Sequence, residues 1–260
     1  IDMWILTYAF AFQIFLDFAG YTDIARGSAM LFGYKVPINF NLPYLASNVA
    51  DFWNRWHISL STWLRDYLFI PLGGSRCDRV KVYRNLFITM ALGGLWHGAA
   101  MHFFLWGVYQ GVVLILHREW QRVSEKLGMT KEILENKFYH AASVVFTFHV
   151  VCIGWVFFRA ETSKSAFEII GKLMMAPQEL MNFSLSQLEV LKIRDPIIFP
   201  ALVVLLPILM ISHVAVNWLS TKQFYQKPAW PVQVGVMVAL MCLLTIFSPD
   251  SSPRFIYFQF

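Results

Sequence analysis

Two stretches, Asp51-Phe-Trp-Asn-Arg-Trp-His-Ile-Ser-Leu-Ser-Thr-Trp-Leu-Arg-Asp-Tyr67 and Gly93-Gly-Leu-Trp-His-Gly98, determine how this chain is organised. The first sets three tryptophans among charged and polar side chains, and the second sets His97 between glycines in an apolar run. Titratable groups inside apolar sequence are expensive to bury, so they usually mark function. We therefore look for the function around His57 and His97.

The residues surrounding these stretches have the composition of a membrane protein. The chain of 260 residues is 57% hydrophobic and 14% charged, whereas soluble domains carry about 25% charged residues. This composition predicts an all-α, polytopic membrane protein. The sequence begins at Ile1 without an initiator Met or a signal peptide. We expect one membrane-embedded domain over residues 1–260 whose N-terminal part is missing.

The charge and the cysteines exclude other classes of protein. The net charge of +5 comes from basic residues in short segments between helices, as expected for cytoplasmic loops. It therefore does not indicate nucleic-acid binding. The three cysteines are far apart and form no CxxC pair, so neither a disulfide framework nor a zinc site is indicated.

The N-terminal part predicts one helix and one loop. Residues 3–18 are apolar, and we expect their helix to bend or break at Gly20. Asp23 and Arg26 are spaced to pair on one helix face, either in a buried polar cluster or on the wall of a tunnel. Prolines and asparagines in residues 35–45 favour a loop.

The next stretch predicts a single helix from a cap at Ser47 to about residue 69. At about 100° per residue, Asn54 falls within about 60° of His57, and Arg55 lies elsewhere on the circumference. A helix this aromatic and charged is interfacial or buried in protein rather than exposed to lipid.

The glycines around His97 predict an interruption of the chain. Residues 86–95 are too short to cross a bilayer, and residues 99–116 follow. The join is either a tight hairpin or a re-entrant break at membrane depth, and both options put His97 in a polar pocket. The remaining elements are a cytoplasmic basic segment at 76–84, a surface connector at 117–137, spans at 138–158, 196–219 and 230–247, and a helix at 162–175 capped by Thr162 or Ser163.

His97 is the first candidate for chemistry. A neutral imidazole accepts a proton from an attacking hydroxyl near neutral pH, as a general base for acyl transfer must. The residues alone equally allow a packing histidine bound to a backbone carbonyl, and for His57 packing is somewhat favoured. His97 and His102 lie about 140° apart on a helix, so they form no i,i+4 metal pair. No metal site is predicted.

Further residues form a supporting set. Arg55, Arg65 and Asp66 either hold an anionic donor and orient a base or form a structural ion-pair network, which is favoured for Asp66. Asn54 and Trp96 are supporting or substrate-binding candidates beside the two histidines. The sequence has no phosphate-binding loop and no GxSxG. Positioning and a base are enough for thioester-to-ester exchange.

Five motifs occur in order: Phe18-Ala-Gly-Tyr-Thr-Asp23, Asn39-Phe-Asn-Leu-Pro-Tyr44, residues 52–67, Ile70-Pro-Leu-Gly-Gly74 and Gly94-Leu-Trp-His-Gly-Ala99. Together they resemble the membrane-bound O-acyltransferase (MBOAT) family, and within it the alginate O-acetyltransferase, AlgI-like branch. The resemblance implies a multi-helix fold with a tunnel through the membrane. It also implies that His97 is the catalytic residue and His57 a second active-site residue.

The same resemblance implies the substrates and the location. The implied donor is acetyl-CoA, with no bound cofactor, and the implied acceptor is an exopolysaccharide such as alginate. The implied partner is a periplasmic SGNH-hydrolase-like protein. The implied location is the bacterial cytoplasmic (inner) membrane, which the chain crosses several times. The alternatives are D-alanyl transfer to teichoic acid, as in the DltB branch, and O-acetylation of peptidoglycan or cellulose. A transporter or channel would use Asp17, Asp23 and His97 as a path, with repeated halves as its mark. A membrane scaffold is a further alternative.

Overall fold

The computed structural model describes residues 2–129 and 136–181, with six single helical positions, Pro207, Ile208, Ile211, Val214, Gly235 and Val238. Its regular elements in these residues are helices, as expected for the all-α class. They are α1 (Asp2–Leu31), α2 (Val49–Arg55), α3 (Ile58–Leu64), α4 (Arg79–His97), α5 (Met101–Lys126), α6 (Lys137–Arg159) and α7 (Ser163–Met181), with a 3-10 turn at Pro43–Leu45 and a π-helical turn at Arg65–Phe69.

Two of these helices, α1 and α6, are long and apolar enough to cross a membrane. The span predicted at 138–158 corresponds to α6. Thr162 caps α7 as predicted, because its Oγ1 accepts the backbone N–H of Ser165 at 3.2 Å. The spans predicted at 196–219 and 230–247 lie outside the described residues, apart from single positions.

Helix α1 is continuous over Asp2–Leu31, so the break predicted at Gly20 is wrong. A single glycine costs a helix about 1 kcal/mol relative to alanine, which a helix of this length tolerates. The predicted pair of Asp23 and Arg26 forms at 2.9 Å, but the Asp23 side chain is 70% exposed. Within the described chain this pair lies on the surface and not in a buried cluster.

The single helix predicted from residue 47 to residue 69 is broken into pieces. Asn48 rather than Ser47 caps α2, its side chain accepting the N–H of Asp51 at 2.8 Å. The chain then turns at His57, whose left-handed backbone (φ 42°, ψ 56°) precedes α3. The predicted common face is therefore wrong, because the helix axis changes between Asn54, which is exposed, and His57, which is buried.

Aromatic rings pack this turn against the long helices. The Trp56 ring lies 5.0 Å from the ring of Phe40 and 4.8 Å from that of Trp155 on α6, measured between centroids. The Tyr44 hydroxyl donates to the Ala11 carbonyl of α1. Residues 39–57 are thus fixed between α1 and α6.

Helices α4 and α5 form the tight hairpin that was one of the two arrangements expected, joined across residues 98–100. They approach most closely at glycines. A Cβ on Gly94 would lie 2.3 Å from the carbonyl oxygen of Phe103, and one on Gly107 would lie 2.3 Å from that of Met90. Helix α5 also continues to Lys126, so the connector predicted from residue 117 begins inside it.

Candidate active site

His97 is the last residue of α4, and aromatic rings surround its imidazole. The ring centroids of Trp106 on α5 and Phe158 on α6 each lie 5.1 Å away, at 88° and 81° to the imidazole plane. The ring of Trp96 lies 5.0 Å away on another side. Gly98 is required beside it, since a Cβ there would lie 2.8 Å from the Phe103 ring. Three helices therefore fix the position of this imidazole.

His57 also contacts the Trp96 ring. Its ring centroid is 6.3 Å from that of Trp96 and 4.7 Å from that of Phe18 on α1, and its side chain is buried. A left-handed backbone is uncommon for a residue other than glycine. Conformations of this kind cluster at functional sites because the surrounding structure must hold them in place.

Asn39 holds the turn at His57. Its carbonyl accepts the N–H of Ile58 at 3.1 Å, and its Oδ1 accepts both the N–H of Ser59 at 3.1 Å and the Ser59 hydroxyl at 2.7 Å. The Ser59 hydroxyl also lies 3.4 Å from Nδ1 of His57. Sequence reasoning treated Asn39 only as a loop residue. No local pattern distinguishes it, because its partners are about 20 residues further along the chain.

Burial controls the charge of both imidazoles. It lowers the pKa of His57 to about 4. Burial, together with the neighbouring His57, lowers the pKa of His97 to about 3. Removal from water disfavours the cationic form, and a second cation nearby disfavours it further. Both rings are therefore neutral at physiological pH, which is the form that a base requires.

The other residues predicted for the site do not all lie at the histidines. Trp96 contacts both histidines, as described above. Arg55 donates to Asp51 at 2.8 Å, and Arg65 donates to Asp66 at 2.7 Å. Within the described chain these charged groups form two separate local ion pairs.

Asn54 is exposed and lies beside a separate cavity. This cavity of about 360 Å³ is lined by residues of α2, α3 and α4, including Asn54 and Arg65. His57 and His97 are not among its lining residues. The structure brings together both histidines and Trp96, which the sequence analysis named. The sequence analysis did not name Trp106 and Phe158, which are two aromatics among many in a chain that is 17% aromatic.

The geometry defines a class of protein. The His57 ring contacts Phe18 of α1 and the His97 ring contacts Phe158 of α6, the two helices that are long enough to cross a membrane, and both imidazoles contact Trp96. This is a helical membrane protein with a histidine site suited to proton transfer.

The family follows from comparison with known proteins. Residues 1–158 match the model of MBOAT, the membrane-bound O-acyltransferase family, and the chain belongs to this family. Its relatives confirm the AlgI-like branch expected from the motifs.

Three relatives illustrate the range. A probable alginate O-acetylase AlgI of Pseudomonas putida is 34% identical over 282 residues, covering 100% of this chain and 53% of that protein. A peptidoglycan O-acetyltransferase of Helicobacter pylori is 34% identical, covering 100% and 50%. A teichoic acid D-alanyltransferase of Bacillus subtilis is 34% identical, covering 58% and 39%. The chain thus spans about half the length of the first two relatives.

Proposed function

We propose that the whole protein is a membrane O-acyltransferase that moves an acetyl group from acetyl-CoA to a hydroxyl of an exopolysaccharide such as alginate. One observation carries the proposal: two neutral imidazoles both contact Trp96 inside the segment that matches the family. The acetyl group and the polysaccharide are suggested by the AlgI relatives, which cover the chain almost completely or in large part.

In this proposal His97 is the general base. Its neutral imidazole takes the proton of the acceptor hydroxyl while the hydroxyl oxygen attacks the thioester carbonyl carbon. The new C–O bond forms, the C–S bond breaks, and the imidazolium returns its proton to the departing thiolate of CoA. Burial of the His97 imidazole disfavours a persistent cation on it, which favours the return of that proton.

The supporting residues act through the backbone in this scheme. Arg55 accepts the N–H of Asn41 at 3.0 Å through its carbonyl, and its guanidinium binds Asp51. These contacts tie the loop that contains Asn39 to the end of α2. Trp96 contacts both imidazoles. In this proposal Asp66 only pairs with Arg65, and Asn54 only lines the separate cavity, so neither takes part in the transfer.

The location and partners complete the proposal. The protein is multi-pass in the bacterial cytoplasmic membrane, residues 1–260 belong to one membrane domain, the donor arrives from the cytoplasm, and a periplasmic SGNH-hydrolase-like protein completes the transfer. The two candidate spans, α1 and α6, support the membrane position. The transporter and scaffold alternatives lose support because the family is one of acyltransferases.

A second candidate is D-alanyl transfer to teichoic acid. It is suggested by the Bacillus subtilis relative, whose match covers 58% of the chain. Acetyl transfer is preferred because the acetylating relatives from Pseudomonas putida and Helicobacter pylori match 100% of the chain. For acetyl transfer itself, the Helicobacter pylori relative suggests peptidoglycan as the alternative acceptor to alginate.

The test is acetyl transfer from labelled acetyl-CoA in membranes that contain the full-length parent protein. His97→Ala at matched expression is expected to lower the rate at least about a hundredfold, since a positioned base contributes about 10²–10⁴-fold. His140→Ala, which removes an exposed imidazole from the first turn of α6, is the control and retains the wild-type rate. A normal rate in a folded His97→Ala protein would exclude His97 as the base. Absence of label in the wild type, with label from a D-alanyl donor, would favour the second candidate.

A further inference from the structure

A buried hydrogen bond joins the first turn of α5 to the last turn of α6. Nδ1 of His102 lies 3.2 Å from the carbonyl oxygen of Phe157, and the His102 side chain is buried. A carbonyl oxygen only accepts, so this nitrogen carries the hydrogen and donates it. Phe157 lies in the last turn of α6, which ends at Arg159, and the last four carbonyls of an α-helix have no partner within the helix. The His102 imidazole therefore satisfies one carbonyl at the end of α6.

Each of the two bonded residues is followed by a phenylalanine of the His97 pocket. Phe103 follows His102, and Phe158 follows Phe157. The Phe158 ring lies 5.1 Å from the His97 imidazole, and the Phe103 ring lies 5.0 Å from the Phe158 ring, both measured between centroids. Both rings are buried. The hydrogen bond thus joins the two backbone segments that carry these rings.

Phe103 also contacts the chain on the other side of His97. Its ring centroid lies 6.4 Å from that of His97, and a Cβ on Gly98 would lie 2.8 Å from the same ring. The His102 imidazole packs on Phe103, with 4.1 Å between the two ring centroids. Close-packed interiors transmit small displacements, because they contain little free space to absorb them. A shift of the start of α5 along the end of α6 would therefore move the rings that contact the His97 imidazole.

Loss of the His102 donor would favour such a shift. The carbonyl of Phe157 would lose a partner inside the protein, and a buried acceptor left without a partner costs more free energy than the hydrogen bond itself contributes. The end of α6 would then gain by moving until the carbonyl reaches another donor or water. The contacts of Phe158 with His97 would change with that movement.

We propose that His102 is a positioning residue for His97: its hydrogen bond to Phe157 fixes the start of α5 on the end of α6 and so holds the two phenylalanine rings that orient the base. This inference rests on the proposed function, in which His97 is the base. In this scheme His102 binds no substrate and transfers no proton. Its loss should therefore lower kcat and leave KM for the donor unchanged.

The test measures kcat and KM for acetyl-CoA in membranes that contain a known amount of the full-length protein. His102→Leu removes the hydrogen-bond donor and keeps a side chain of similar size. It is expected to lower kcat about ten- to hundredfold, because a misplacement of about 1 Å at a reacting group can cost about 10²-fold, and to leave KM within about twofold. His102→Asn carries an amide N–H at the position of Nδ1, so it should restore kcat to within about threefold of the wild-type value.

Tyr109→Phe is the matched control. The Tyr109 hydroxyl donates to the Val150 carbonyl at 2.7 Å, so it joins the same two helices about two turns further along α5. Its loss should lower the melting temperature about as much as His102→Leu does and leave kcat within about twofold.

A folded His102→Leu protein with the wild-type kcat would overturn the positioning role. Equal losses of kcat in His102→Leu and Tyr109→Phe would overturn it too, since they would mean a general loosening between α5 and α6. If His102→Leu does not fold, His102→Gln replaces it, because its amide nitrogen corresponds to Nε2 rather than Nδ1; equal kcat values in the Gln and Asn variants would then contradict the role. Absence of acetyl transfer by the wild type is a different result, which overturns the proposed function and the positioning role with it.

Discussion

At the scale of single residues, the neutral state of His97 makes a prediction about pH. Its pKa is lowered to about 3, mainly by burial, so the imidazole stays neutral far below pH 6.5. Because the pKa of His97 is lowered in the folded protein, acid protonates this imidazole only when the pH approaches about 3. We expect the acetyl-transfer rate of the full-length protein at pH 5.5 to lie within about twofold of the rate at pH 7.5.

A base with the pKa of an ordinary, solvated imidazole would behave differently. With the usual pKa of about 6.5, only about a tenth of the base would be neutral at pH 5.5. Initial rates measured across this range, with the protein shown to remain folded at each pH, distinguish the two cases. An acid limb with an apparent pKa close to 6.5 would mean that the base is solvated or is a different group.

Asn39 makes a second prediction at this scale. Asn39→Ala removes the Oδ1 that accepts from the N–H and hydroxyl of Ser59, and with it the main side-chain support of the turn at His57. We expect a loss of about 1 kcal/mol in unfolding free energy, typical of a net hydrogen bond, and a lower kcat because His57 is less well fixed.

Its control comes from the same loop. Asn41 contacts Arg55 through its backbone N–H and carbonyl, so Asn41→Ala should change neither stability nor kcat appreciably. Thermal denaturation and acetyl-transfer rates of both variants in the full-length protein provide the measurement. Equal behaviour of the two variants would show that the Asn39 side chain is not needed to hold the turn.

At the scale of elements, the crossing of α4 and α5 depends on the absence of side chains. A Cβ on Gly94 would lie 2.3 Å from a backbone oxygen of α5, so Gly94→Ala must push the helices apart. We expect a loss of about 1–3 kcal/mol, as for overpacked cores, and a large loss of activity because His97 ends α4. Gly20→Ala is the control, since nothing lies within 4 Å of its Cβ and alanine favours a helix. Similar thermal denaturation of both variants would contradict the close crossing.

The elements also show what local sequence can predict. The apolar run that forms α6 and the threonine that caps α7 carry their own signals, and both were predicted. The break at His57 was not predicted, because residues 49–64 have helical character throughout and the turn is bonded to Asn39, far away in sequence. The length of α4 was underestimated for another reason. Its first turns carry exposed Arg79 and Arg84, although Val82 and Asn85 on the same helix are buried.

At the scale of the whole molecule, the two histidines could be found from sequence because an imidazole is rare and costly in apolar surroundings. Their surroundings could not. Trp106 and Phe158 come from α5 and α6, and which aromatic rings meet His97 depends on how three helices pack. The cavity lined by residues of α2, α3 and α4 is likewise a product of packing, since these residues come from separate helices.

The position of the molecule in the membrane gives the last prediction. The basic segment at 76–84 is expected on the cytoplasmic side, and Val80 within it is 76% exposed. We expect Val80→Cys, in a full-length protein whose natural cysteines are replaced by serine, to react with a membrane-impermeant maleimide in inside-out vesicles and not in spheroplasts. Val151→Cys on α6, which is 1% exposed, should react in neither and serves as the control. Labelling of Val80→Cys in intact spheroplasts would reverse the orientation.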